Sequence, residues 1–324
     1  MKSWLRLLSC ELRRTLPRLL PVAMLLLLAV GITLQTLNAQ RVAYNNLQNV
    51  RTGLTKLTPE NCAEDAANLP PDAPADAYLK DCLDGLENTR AAYENIEAQF
   101  TATAEQMGLA QHPLGAVGWT FGWLATAPGL LSVLVLAAFF TAGEWSRGTA
   151  VPLLLQEQRL WRLLSAKAAV LWLWSLLAAT LTSAGVWLLT VMYTRRAFPL
   201  HRMVAPDEVS AYTLQRGGTG LLVLGVACVA AVGLAAVVRM PLRTVLIGVL
   251  VLAVATMPVS SWLPGPVLAD GMGLSPGLNV HDHLWTSAVD SAAPASAAVR
   301  ALPWVALLCL ALWQGWRTRP RDLV

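Results

Sequence analysis

Residues 143–167 read GEWSRGTAVPLLLQEQRLWRLLSAK and lie between two long apolar runs. This one gap holds six charged residues, Glu144, Arg147, Glu157, Arg159, Arg162 and Lys167, with Gly148-Thr149 and the tryptophans Trp145 and Trp161. It is too long for a turn and too apolar for a free loop. The pieces AVPLLL and RLWRLL read as two short helices lying against lipid headgroups, broken at Gln156-Glu157-Gln158. Trp145 and Trp161 would anchor them in the interface, while Arg147, Arg159 and Arg162 reach lipid phosphates or a partner. Such an element moves as a lever when its polar apex, Glu157, is pushed.

The runs on either side decide the class. Apolar residues make up 55% of the 324-residue chain and charged residues 14%, against about 25% charged in ordinary soluble domains. Roughly 18 apolar residues suffice to cross the hydrocarbon layer as a helix. Six candidate spans meet that length, at 17–37, 119–141, 168–193, 217–238, 242–263 and 297–316. The last is interrupted by Arg300 and Pro303, and only Arg-Met-Pro and an early Arg243 separate the fourth from the fifth. The expected fold is an all-α polytopic membrane protein. The first run is expected to be retained as a span, because LQTLNAQR after it offers no pair of small residues for cleavage.

Lysines and arginines set the orientation. With six spans, fourteen fall on one side: five before or at the edge of the first span, four in 143–167, Arg239 and Arg243, and three in the tail 317–324. The short loops opposite hold Arg195, Arg196, Arg202, Arg216 and Arg300. Both termini are therefore expected in the cytoplasm, with outer loops at 194–216 and 264–296. Trp119, Trp123, Trp187, Trp262 and Trp304 fall near outer span ends, as interfacial aromatics do.

Residues 38–118 form the long outer segment. Between 38 and 116 it carries eleven Asp or Glu against five Lys or Arg. Apolar residues recur at helical spacing before and after a Pro-rich break, at Tyr44, Leu47, Val50 and Leu54 and again at Leu79, Leu83, Leu86, Tyr93, Ile96 and Phe100. The pattern predicts a helical hairpin whose arms continue spans one and two. Cys62 and Cys82 flank the break, where an oxidising compartment favours a disulfide.

Motifs for chemistry are few. No phosphate-cradling G-x-x-x-x-G-K-[ST], no G-x-G-x-x-G, no C-x-x-C and no H-E-x-x-H occurs in the chain. His281, Asp282 and His283 lack an evident third ligand and read as a solvated loop. Span centres hold almost no ionisable residue, which argues against an ion-coupled carrier or an intramembrane hydrolase. Pro128-Gly129 should loosen the second span. Ala227, Ala231 and Ala235 form a small-residue stripe that serves either packing within the subunit or a dimer contact.

Glu144, Gly148-Thr149, the leucines from Leu153 to Leu155, Arg159 and Lys167 together resemble the segment after the second span in type-2 ATP-binding-cassette (ABC) permeases. A proline usual before the arginine is replaced here by Gln156-Glu157-Gln158. The resemblance implies a transport subunit of an ABC exporter in a bacterial inner membrane, with no nucleotide site and no catalytic, metal or cofactor residue of its own. ATP and magnesium would be bound by two cytoplasmic ATPase subunits, and a second permease, identical or homologous, would complete the pore. Membrane lipids are the other expected contact; nucleic acid is not one. Residues 142–167 would be the coupling segment, built on Glu144, Arg147, Gly148, Thr149, Glu157, Arg159 and Lys167. Residues 1–16 would form a connecting helix with Trp4, Leu5, Leu8 and Leu12 on its apolar face, and 264–296 would include a re-entrant region. The rival reading is a non-transporting sensor or immunity protein whose outer hairpin binds a peptide, lipid or cell-wall component.

Overall fold

No proline interrupts the chain between Pro21 and Pro59, so one helix of 38 residues, α2 (Leu19–Lys56), carries both the first apolar stretch and the polar segment after it. It belongs to a computed structural model that describes residues 2–15, 19–68, 74–149 and 160–256 and a few isolated positions beyond. Expectations for Glu157, Arg159, His281, Asp282 and His283, for the loop 264–296, for most of 297–316 and for the tail 317–324 lie outside the described residues. So does residue 150 and the rest of the segment up to 159.

All regular elements among the described residues are helical. Four stretches are long and apolar enough to cross a membrane: Pro21–Lys56, Ala127–Ser146, Trp161–Ala197 and Pro206–Val238. They mark the chain as a membrane protein. A shorter apolar helix, Pro241–Val254, follows the fourth.

The hairpin is built from the far half of α2, a short α3 (Pro59–Ala67) and the long α4 (Ala75–Leu109). Thr58 caps α3, its side chain accepting from the Asn61 amide. Between the arms, Ala43, Leu47 and Val50 are buried, as are Ala104 and Met107. Arg51 Nε donates to Glu97 Oε1 at 2.8 Å across the gap. Cys62 and Cys82 are disulfide-bonded with their Cα atoms 6.0 Å apart, tying α3 to α4.

The second arm does not run straight into the second span. Helix α4 ends at Leu109, and α5 (Pro113–Leu124) starts afresh with its proline in the first turn. A second break at Ala125-Thr126 precedes α6 (Ala127–Ala137), again opened by a first-turn proline, Pro128. The continuous helix expected over 119–141 is thus two helices, because Pro128 starts a new helix where it was read as bending an old one. Trp119 and Trp123, expected in an interfacial belt, are core residues, 0% and 8% exposed.

Beyond α6 come a π-helical turn, Ala138–Ala142, and the short α7 (Gly143–Ser146). Helix α8 (Leu160–Leu189) runs back through the bundle and ends in a second π turn, Thr190–Thr194. Helix α9 (Pro206–Tyr212) and a third π turn, Thr213–Gly217, lead into α10 (Gly218–Val238). Arg239 ends α10 in the left-handed conformation (φ 60°), and Pro241 opens α11 (Pro241–Thr256), closing the tight connection between them. Ala231 and Ala235 are buried and Ala227 packs on the core, so their stripe serves packing within the subunit.

Candidate functional site

Helix α1 (Lys2–Thr15) lies against the start of α8 at the end of the bundle opposite the hairpin. Its inward positions are Trp4, Leu8, Glu11, Leu12 and Thr15, while Leu5 is 53% exposed. The buried face therefore carries a carboxylate at its centre, and Leu5 is not on it. Trp4 Nε1 donates to Ser165 Oγ at 3.1 Å, and Trp174 Nε1 donates to Thr15 Oγ1 at 3.2 Å. These two bonds fasten α1 to α8 at both its ends.

Between them sits a buried cluster of charges. Lys167 Nζ donates to Glu144 Oε2 at 2.7 Å and to Glu11 Oε2 at 3.1 Å. The side chains of Lys167, Glu11 and Glu144 are 6%, 6% and 7% exposed. Arg14 reaches the outer oxygens of both carboxylates, 3.6 Å from Glu11 Oε1 and 3.6 Å from Glu144 Oε1. Two cations thus face two anions, and the charge closes to zero within the cluster. Lys167 hydrogen-bonds one oxygen of each carboxylate, while Arg14 Nη1 faces the other two at 3.6 Å without forming a hydrogen bond.

The backbone explains why Glu144 is there. The π turn Ala138–Ala142 inserts an extra residue and rotates the helical face that follows. After Ser146 the chain ends the helix with Gly148 in the left-handed region, φ +72°. The Gly148 amide bonds to the Trp145 carbonyl at 3.1 Å and the Thr149 amide to the Glu144 carbonyl at 3.0 Å. This paired closure is the Schellman motif, whose left-handed position favours glycine. Thr149 Oγ1 adds a second bond to the Glu144 carbonyl, 3.3 Å. The Gly-Thr pair therefore terminates the helix one residue pair beyond the carboxylate and fixes its backbone. Trp145, beside it, lies under the Arg239 guanidinium, 4.5 Å from ring centroid to carbon.

The structure brings together Glu144 and Lys167 from the expected coupling segment and places Gly148 and Thr149 as their helix stop. Arg147 is exposed and takes no part in the cluster. Glu11 and Arg14 were missed by reading the sequence. The signal was present: Trp4, Leu8, Glu11 and Thr15 recur at intervals of four, three and four, one face of a helix.

The hairpin end is polar in a different way. Gln40 is fully buried, donating from Nε2 to Thr190 Oγ1 at 3.3 Å and accepting at Oε1 from Thr194 Oγ1 at 2.6 Å. Thr190 and Thr194, four residues apart on one helical face, both reach this one amide. Trp119 Nε1 donates to Thr36 Oγ1 at 2.9 Å. Nearby, Gln111 clamps the connection after α8: it donates to the Phe198 carbonyl and accepts from the His201 amide, each at 3.0 Å. Burial, with Arg195, His112 and Arg202 nearby, holds the His201 ring below its ordinary basicity.

Among the described residues, no group of three or more His, Cys, Asp or Glu is placed to hold a metal ion. No family model, no curated protein and no solved structure matches this chain.

Proposed function

We propose that this chain is the membrane-spanning permease subunit of an ABC exporter, driven by ATP that separate cytoplasmic ATPases hydrolyse. The observation that carries this reading is the closed cluster of Glu11, Arg14, Glu144 and Lys167. It joins the N-terminal helix to the end of the second span and the start of the third, the three elements that flank the segment resembling a coupling element. A push on residues 150–159 would be delivered through α7 and α8 to this joint, and the joint would pass it to α1. Buried ion pairs suit such a task because they hold a fixed geometry and resist partial displacement. On this reading the protein has six spans with both termini cytoplasmic, works with a second permease, and resides in a bacterial inner membrane.

One experiment tests the reading directly. The tagged protein is purified from its native membranes in mild detergent, and stoichiometric partners are identified by mass spectrometry. An ATPase with its own phosphate-binding loop is the expected companion. In the assembled complex, Glu144→Gln should lower transport per ATP hydrolysed while the complex remains intact. Recovery of the chain alone, or of a complex whose transport ignores Glu144→Gln, overturns it. The sensor reading then leads, and the exposed Tyr78, Leu83 and Ile96 on α4 are where a ligand of the hairpin would sit.

A further inference from the structure

Arg216 is a charged residue in the wrong place for a charge. It sits on the π turn Thr213–Gly217 and is 3% exposed. Its guanidinium carbon lies 4.7 Å from the centroid of the Trp119 ring and 5.6 Å from that of Tyr212. Its Nε has no hydrogen-bond partner. No carboxylate forms an ion pair with it among the described residues. The acids closest along the chain, Asp207 and Glu208 on α9, are exposed. Two aromatic faces offset only part of the cost of desolvating a cation. Among the described residues the cage is therefore short of one anion.

The guanidinium is closed in, so an anion reaches it only if a neighbouring element moves. The stem of Arg216 runs over Gly122, where a Cβ would come within 2.7 Å of its Cγ and 3.0 Å of its Cδ. The seam between α5 and the π turn is glycine against backbone: Gly118 faces the Thr213 Cα, Gly217 faces the Gly118 Cα, and Gly220 faces the Phe121 carbonyl. The side chains of Tyr212 and Arg216 close over Gly118 and Gly122, so the seam is shut in this structure. Helix α5 is only 12 residues long and is bounded by breaks at both ends, which are the hinges a movement uncovering the guanidinium would use. Leu214 on the same π turn and Leu222 on α10 are 79% and 72% exposed. An apolar tail would lie against them.

We propose that Arg216 is the anion-recognition group of a gated site between α5 and the Thr213–Gly217 turn, taking the phosphate or carboxylate head of an amphipathic molecule. A planar guanidinium matches such a head with two parallel hydrogen bonds. The site stands independently of the ABC assignment, since it needs no ATPase.

The test uses the full-length protein in a neutral maltoside detergent at constant ionic strength. Thermal unfolding is followed while dioctanoyl-phosphatidylglycerol, dioctanoyl-phosphatidylcholine or inorganic phosphate is titrated in. The expected result is a saturable rise of several degrees with phosphatidylglycerol and not with phosphatidylcholine. Arg216→Gln should weaken that response at least about tenfold, as loss of one partner of a buried charge pair does, and Arg216→Lys should keep part of it. An equal rise with inorganic phosphate, also lost in Arg216→Gln, keeps the site and identifies the free anion as sufficient. If Arg216→Gln does not fold, Gly122→Ala, whose Cβ presses on the arginine stem, must weaken the response instead. Equal responses to both lipids and none to phosphate, or a phosphatidylglycerol response that survives these substitutions, overturn the proposal.

Discussion

Replacing Lys167 with methionine keeps a slender, unbranched side chain one heavy atom shorter and removes the charge and its two hydrogen bonds. Two carboxylates that now share Lys167 at 2.7 and 3.1 Å would be left with Arg14 alone, 3.6 Å from each. Both are nearly inaccessible to water, so the bulk solvent cannot take over. Removing one partner from a buried pair costs about 3–5 kcal/mol, most of it the burden of the stranded charge. Because α1 holds on otherwise through Trp4–Ser165 and Trp174–Thr15, the loss should concentrate at that end of the bundle. Unfolding in mixed detergent with increasing dodecyl sulfate, followed by far-UV circular dichroism, gives the stability change. Amide exchange over 2–15 and 143–149 gives its location. Glu144→Gln combined with Lys167→Met should cost less than the sum of the two single changes, since both lost charges are then removed together. A loss for Lys167→Met below about 1 kcal/mol is what an exposed pair gives. That result would refute the claim that the cluster is a dry, interdependent joint.

Three further outcomes are expected. Gly148→Ala forces a Cβ into the left-handed region and should cost about 1–2 kcal/mol, with Gly148→Asn milder; exchange of the Thr149 amide reports it. Cys62→Ser opens a disulfide across a separation of 20 residues and should weaken the hairpin by about 3 kcal/mol in the chain-entropy model, seen as faster proteolysis between 57 and 82 with the spans still protected. Because the folded state holds His201 below its ordinary value of 6.5, the unfolded chain takes up the proton first. Stability should therefore be level above that value and fall as pH drops below it toward the folded-state value. His201→Gln should flatten this part of the profile in a pH series of melting temperatures.

Hydropathy made the four long helices legible, and charge made the hairpin so, because both report the medium around a segment. They do not report which residue faces which. The apolar run over 119–141 gave no sign of its interruption in composition; the sign was in Pro113 and Pro128, each standing in the first turn of a new helix. Trp119 and Trp123 read as interfacial because tryptophan often is. In the folded chain Trp119 instead spends its indole N–H on Thr36, 83 residues away. Glu11 escaped notice for the same reason: its partner Lys167 is 156 residues distant, and a lone carboxylate on an amphipathic helix looks solvated. Gly148-Thr149 and Cys62/Cys82 were readable because their partners are local.

The two buried charge sites are separated along α10, whose 21 residues run from beside Arg216 to beside Arg239, about 30 Å of helix. At the α1 end the charges cancel among themselves, so that site is complete in the chain alone and its substitution should be read in stability. At the hairpin end a cation stands between two rings with no counter-charge among the described residues, so on the proposal above its substitution should be read in ligand response. The same arithmetic of charge and burial thus gives opposite expectations for Lys167 and Arg216. Measuring both residues by both readouts separates a structural joint from a binding group: Lys167→Met should leave the phosphatidylglycerol midpoint unmoved while lowering stability, and Arg216→Gln should move the midpoint with the smaller loss of stability, because it also relieves an unpaired charge.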